Sequence, residues 1–383
     1  MRNRYIDFIR FLAIIRVVVY HTTGWAFLSM VFPAMTVMFA LAGSLMAASL
    51  DRSGPDPWLA GPAAVGRRLR RLLPSLWVFA ACFVPAMLLT GLPLDWRLLL
   101  WLAPVADPPS NWWGALVTSP IWYLRDYLWF VLASPAALWL FRRRPLPTLL
   151  APYVLLVVVE LGWSDAPAVL RDFGLYFGAW LLGFAHHDGL LRRVSRRTVV
   201  GLAGVLGAAG AGWIFTHPGP RGFDLNDIPL GNGLWSAGFT LVLLALVPAG
   251  AAWVDRNDLV GRLVTLVNRR ALTVYLWHMP VVIGLGMLAV RLGWDFGTRT
   301  GAAVHVLLVA ALVGVAVPLF GWVEDLAARR RPVLLPGGPP VRAAGAVATP
   351  GVPVGAAAGP ARVPGPRPAA DRAGAGGRPV SSG

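Results

Sequence analysis

Residues 4–27 read RYIDFIRFLAIIRVVVYHTTGWAF. The stretch is long enough to cross a bilayer, since about 20 mainly apolar residues at 1.5 Å each cover the hydrocarbon core. It also carries Asp7, Arg10, Arg16 and His21, which a plain anchor would avoid. A cation at the bilayer centre costs roughly 2.5–3.5 kcal/mol on insertion scales, so such groups face a bundle interior or a wet cavity. Arg10 and His21 are eleven residues apart. That is almost three whole turns, which puts them on one face about 16 Å apart along the axis. Arg16 points away from that face. The segment therefore predicts one helix of a larger bundle, with a guanidinium near one membrane surface and an imidazole deeper along the same stripe.

Beyond this segment, long uncharged runs recur. Of 383 residues, 57% are hydrophobic and only 14% charged, which excludes an ordinary soluble domain and predicts an all-α polytopic membrane protein. Ten segments have spanning length, at about 5–27, 31–50, 71–91, 120–141, 146–163, 168–186, 198–216, 232–254, 271–291 and 300–323. Every basic residue is Arg, and with the N-terminus inside, the inside loops hold 21 of them against four outside. That bias predicts ten helices with both termini cytoplasmic, and it accounts for the formal charge of +16 without a nucleic acid partner. Arg10 and Arg16 interrupt the first segment, which argues against a cleavable signal peptide. The single Cys82, inside an apolar run, excludes an internal disulfide and reads as a buried structural thiol. After Arg331 the composition turns to Pro, Gly, Ala, Val and Arg without apolar periodicity. Residues 1–331 are thus expected to form the membrane domain, and 332–383 a disordered cytoplasmic tail.

Several polar groups stand out against this background. Arg67, Arg68, Arg70 and Arg71 crowd the mouth of the third segment beside Pro74. Topology alone explains such a cluster, but Arg forks also match phosphate geometry bidentately and together would hold a polyphosphate. An isolated intramembrane histidine such as His21 carries a desolvation cost that a role would justify, as proton relay or general base. His278 lies in the ninth segment. Arg125 with Asp126, and Arg171 with Asp172, are adjacent opposite charges that suit local neutralising pairs or polar substrate contacts. Glu324 and Asp325 end the tenth segment, where solvation is the simplest role, and it is adopted for Asp325. His186, His187 and Asp188 lack the further ligands a metal site needs, so no metal is expected and solvated surface histidines are the simpler account. Gly43, within Ala42-Gly43-Ser44, suggests close packing between helices.

Some of these residues also carry a resemblance. Asp7-x-x-Arg10, ten residues, then His21, followed by FPAMTVMFALAGS (32–44), resembles the opening of the acyltransferase 3 family of integral membrane acyltransferases. GRRLRRLLP (66–74) is similar to the family's Arg-x-x-Arg element, with Arg68 and Arg71 in the matching positions. IWYLRDYLWF (121–130), FGLYFGAWLLGFAHHDG (173–189), ALTVYLWHMPVV (271–282) and FGWVEDL (320–326) resemble later blocks in the same order. The sequence departs from the pattern at Arg16, normally apolar, at Ala42, where Ser is usual, and after Asp325, where no Pro follows.

The resemblance implies acyl transfer, often acetyl, from cytosolic acyl-CoA to a hydroxyl of a saccharide, glycolipid or secondary metabolite. It implies His21 as the catalytic residue and Arg10, Arg68 and Arg71 as acyl-CoA contacts, with acetyl-CoA a co-substrate rather than a resident cofactor. Asp7, Arg125, Asp126, His278 and Glu324 are expected to support the site or touch substrate. The chemistry of the residues agrees, since an inner Arg cluster suits the CoA phosphates and an imidazole suits deprotonation of a hydroxyl. Direct transfer and an acyl-histidine intermediate are both compatible with the sequence. The expected setting is a multi-pass protein of the cell membrane, the inner membrane of a bacterium. A transporter or flippase for an amphipathic anion is the alternative, but no matched pair of broken helices in two halves supports it.

Overall fold

The computed structural model describes residues 4–163, 165–246 and 258–336, and no strand occurs among them. Long uncharged runs become helices because only intrasegment hydrogen bonds satisfy the backbone away from water. In chain order these are α1 (Arg4–Thr23), α2 (Ala34–Asp51), α3 (Pro57–Leu89), α4 (Ile121–Arg143), α5 (Pro145–Gly162) and α6 (Ala168–His187). There follow α7 (Arg196–Thr216), α8 (Pro229–Ala245), α9 (Asp258–Arg269), α10 (Ala271–Leu292), α11 (Arg299–Phe320) and α12 (Trp322–Ala327). Starts are marked locally. Asp56 accepts from the Trp58 amide at 2.8 Å ahead of α3, and Ser195 accepts from the Thr198 amide at 3.1 Å ahead of α7.

Among the described residues, seven helices are long and apolar enough to cross a membrane, including the Phe27–Asp51 stretch that contains α2. The helices α1 and α4 miss that standard because ionisable groups interrupt them, and α8 has 17 residues. Residues 247–254 of the eighth expected segment lie outside the described residues, as does the tail from 337 onward. The outer faces are apolar: Leu89 is 88% exposed and Val290 83%, a surface suited to lipid rather than water. Cys82 also faces outward, not into the core as expected from its apolar neighbours. An apolar run on a peripheral helix reads the same whether it meets lipid or protein.

The interior is built on two helices. The Phe27–Asp51 window is 72% buried and the α6 span 67%, against 22% for α5 and α7. Glycines allow the close approach: a Cβ on Gly43 would overlap the Trp180 carbonyl, and one on Gly183 the Ala40 carbonyl. Helix α6 contains a π-helical turn at Phe173–Phe177, a distortion frequent near functional sites. Helix α1 packs against α2, α9, α10 and α11, which leaves Arg10 half-buried and His21 exposed near the end of the helix. At the other end of the domain, Arg329 adopts a left-handed φ of 56°. This closes α12, with the Arg330 amide donating to the Asp325 carbonyl at 2.8 Å, and turns the chain back toward α10.

Candidate functional site

Continuous helix from Arg4 to Thr23 keeps Arg10 and His21 on one element. The His21 side chain is exposed and makes no hydrogen bond with a described residue. Its ring lies 5.2 Å from that of Tyr20 and 5.2 Å from that of His278. His278 is fully buried on α10, and its Nδ1 lies 2.6 Å from the Tyr275 carbonyl. Its Nε2 has no hydrogen-bond partner. The two histidines, 257 positions apart in the sequence, therefore meet, because α10 packs along α1.

A line of rings leads inward from this pair. Centroids are separated by 5.7 Å from His278 to Tyr275, 5.1 Å from Tyr275 to Tyr123, and 6.2 Å from Tyr123 to Tyr127. Tyr127 is within electrostatic reach of Arg71, and Arg10 within reach of Tyr123. Arg10 is half-buried and has no ion pair or hydrogen bond with a described residue. Arg70 and Arg71 likewise lack one, while Arg68 donates only to the Leu45 carbonyl, at 2.7 Å. Arg330 adds a further cation near Arg71. These guanidiniums have no carboxylate to neutralise them among the described residues.

Beside His21 stands a polar wall from the loop between α7 and α8. Tyr20 Oη donates to Asp224 Oδ2 at 2.5 Å, and Arg221 and Asn226 donate to Tyr20 Oη at 2.9 and 3.0 Å. Asp224 is buried, and its Oδ1 accepts from the Asn226 amide and side chain. The wall is thus internally satisfied. Hydrogen bonds from Arg221 hold the half-buried Asp227 carboxyl below its usual range. Arg16 donates from Nε to the Leu28 carbonyl at 3.0 Å, lies 4.8 Å from the Tyr20 ring and comes within electrostatic reach of His21, although helical spacing alone turns it away from the Arg10 face.

The other expected site residues are occupied in protein contacts. Buried Arg125 pairs with Asp126 at 2.9 Å, with Asp107 at 2.7 Å, and with Asp172. Asp172 therefore turns from its neighbour Arg171, which pairs with Glu160 at 2.7 Å. Glu324 Oε1 accepts from the Thr273 amide and hydroxyl at 2.8 and 2.5 Å, and burial pushes its carboxyl above the usual range. Asp7 lies beside α9, where its carbonyl accepts from Asn268 at 2.7 Å.

Three expectations are corrected here. Asp325 is not solvated but buried: it accepts from Arg270 at 2.6 Å and from the Val333 amide at 3.1 Å, while Arg270 also donates to the Val333 carbonyl. Burial opposes ionisation of its carboxyl, but these bonds outweigh it and hold the group below its usual range. His186 and His187 are not free surface histidines either. His186 Nδ1 lies 3.0 Å from Ser44 Oγ, and His187 Nε2 lies 2.8 Å from Asp51. Nor is His187-Asp188 isolated, because Asp51 from α2 brings a third ligand-type atom within 4.8 Å of both. Arg142, however, binds both carboxylates with four hydrogen bonds of 2.8–3.0 Å, so a guanidinium already fills the position a cation would take. Sequence reading missed Asp51, Asp107 and Arg270, whose partners lie on distant segments. For Arg270 a weak signal existed, a second Arg at the entrance of an apolar helix.

No curated protein and no solved structure matches the chain. Residues 3–322 match the acyltransferase domain of the acyltransferase 3 family. That span takes in α1 with His21, the α3 cations and the His278 segment, and the chain accordingly belongs to the acyltransferase 3 family of membrane acyltransferases.

Proposed function

We propose that the protein transfers an acyl group, acetyl in the simplest case, from cytosolic acyl-CoA to a hydroxyl of a saccharide, glycolipid or small-molecule acceptor. It would do so as a ten-span protein of the cell membrane, the inner membrane of a bacterium, with both termini cytoplasmic. The carrying observation is an exposed imidazole on the same helix as a guanidinium, neither of them bonded to a side chain among the described residues. Arg68, Arg71 and Arg10 suit the CoA phosphates, because each offers fork-shaped donors not already committed to a carboxylate. Arg10 and His21 share the continuous helix α1, eleven residues apart, a span of about 16 Å that the pantetheine arm would cover.

In this mechanism His21 takes the proton of the acceptor hydroxyl as its oxygen attacks the thioester carbonyl. The new C–O ester bond forms, the C–S bond breaks, and the imidazolium returns its proton to the departing CoA thiolate. Positioned general-base catalysis of this kind is worth about 10²–10⁴-fold. The test is His21→Ala in membranes, measured as radiolabelled acetyl incorporated from acetyl-CoA into envelope material. Incorporation should fall by about 10²–10⁴-fold while acetyl-CoA affinity persists, because the imidazole acts in the transition state. Full incorporation by the variant would refute His21 as base.

A further inference from the structure

Resting on His21 as the base, we infer that His278 is a positioning residue that receives the His21 N–H and so turns the other His21 nitrogen toward the acceptor hydroxyl.

A neutral imidazole serves as a base only through its unprotonated nitrogen, so something must fix which nitrogen that is. The common device is a carboxylate behind the histidine. Asp224 is the carboxylate within reach of His21, but its capacity is spent. Its Oδ2 accepts from Tyr20 and pairs with Arg221 at 3.5 Å, and its Oδ1 accepts from Asn226 twice. The other charged groups facing His21, Arg16 and Arg221, are cations and can only donate.

His278 supplies what is missing. The Tyr275 carbonyl can only accept, so the 2.6 Å contact requires the proton on His278 Nδ1. That leaves Nε2 as an acceptor, and it is buried without a partner among the described residues. A buried acceptor left unbonded keeps its full desolvation penalty, and His21 is the neighbouring ring with a donor to offer. The 5.2 Å centroid separation suits it. Each ring nitrogen sits about 1.1 Å from its centroid, so nitrogens turned to face each other stand about 3 Å apart, a normal hydrogen bond. His21, exposed and without a hydrogen bond among the described residues, can make that turn. The backbone bond to Tyr275 thus sets the His278 tautomer, and His278 in turn sets that of His21.

The test compares His278→Leu with His278→Gln, whose side-chain oxygen can stand where Nε2 does and only accept. In His278→Leu, kcat should fall about 10–100-fold, the range for a misoriented catalytic group, with KM for acetyl-CoA unchanged. His278→Gln should recover most of that loss, which a mere packing role would not produce. Equal loss in both variants, or a matching rise in KM, overturns the assignment. Should His278→Leu fail to fold, nitrogen NMR of the histidine rings in the wild-type protein decides instead: Nδ1–H at His278 supports the inference, and Nε2–H overturns it. His21→Ala in the same assay separates the two layers. If it is inactive while His278→Leu is fully active, the inference falls alone. If it keeps full turnover, the general-base reading falls and takes the inference with it.

Discussion

Arg125 and Arg68 are the same side chain under opposite electrostatic conditions. Arg125 is buried and surrounded by Asp107, Asp126 and Asp172, whereas Arg68, Arg71 and Arg10 meet no carboxylate among the described residues. The histidines divide in the same way. His187 is tied to Asp51, while among the described residues His21 makes no hydrogen bond and rests against a histidine whose Nε2 has no partner. A group whose charge is answered inside the protein holds helices together. A group left unanswered retains its capacity for a ligand or a proton.

The sharpest way to break this division is to remove Arg125. Losing one partner of a buried ion network costs about 3–5 kcal/mol, because it leaves uncompensated charge behind, here on three carboxylates. Arg125→Ala should therefore lose most folded, monodisperse protein in detergent, whereas Arg68→Ala and Arg71→Ala should each stay within about 0.5 kcal/mol of wild type. Comparable thermal stability across the three would erase the distinction between structural and ligand-holding arginines.

A cut just after Pro332 tests the answered side less severely. It removes Val333, whose amide donates to Asp325 and whose carbonyl accepts from Arg270. A stability loss of about 1–3 kcal/mol is expected, measured by thermal unfolding, and a cut after Pro336 should avoid it. Equal stability of the two truncations would show that Val333 contributes nothing.

The smallest effect belongs to the surface pair of exposed Arg221 and half-buried Asp227, at 2.6 Å. The carboxyl's value is depressed in the folded state, so its contribution is present above the ordinary carboxylate range and fades as pH falls through the folded value. An exposed pair is worth about 0.2–1 kcal/mol. Thermal stability should drop slightly more between pH 7 and pH 3 in wild type than in Arg221→Ala; an equal drop would remove the pair from the account.

Much of the architecture was legible in the sequence because bilayer length and uncharged runs are local signals. The α1 stripe was readable for the same reason, since 3.6-residue periodicity alone puts Arg10 and His21 on one face. What the sequence withheld was partnership. Asp325 read as a solvated helix end because Arg270 lies 55 positions away in sequence, and Arg171 read as the mate of Asp172 because adjacency is visible while packing is not. Cys82 read as core because lipid and protein interiors select the same residues. The His21–His278 contact fell beyond reach for the same cause: it exists only once α10 packs along α1.

The most direct test of the division is acetyl-CoA binding to purified protein in nanodiscs, by titration calorimetry, with Arg68→Ala/Arg71→Ala set beside Arg142→Ala. Arg142 also lies at the end of an apolar helix, but its guanidinium is committed to Asp51 and Asp188. Two charge-assisted contacts of about 1.5–3 kcal/mol each predict a loss of about 100-fold or more in the double variant and wild-type affinity in Arg142→Ala. Unchanged binding in the double variant, or equal loss in both proteins, would contradict the claim that the unanswered arginines hold the acyl donor.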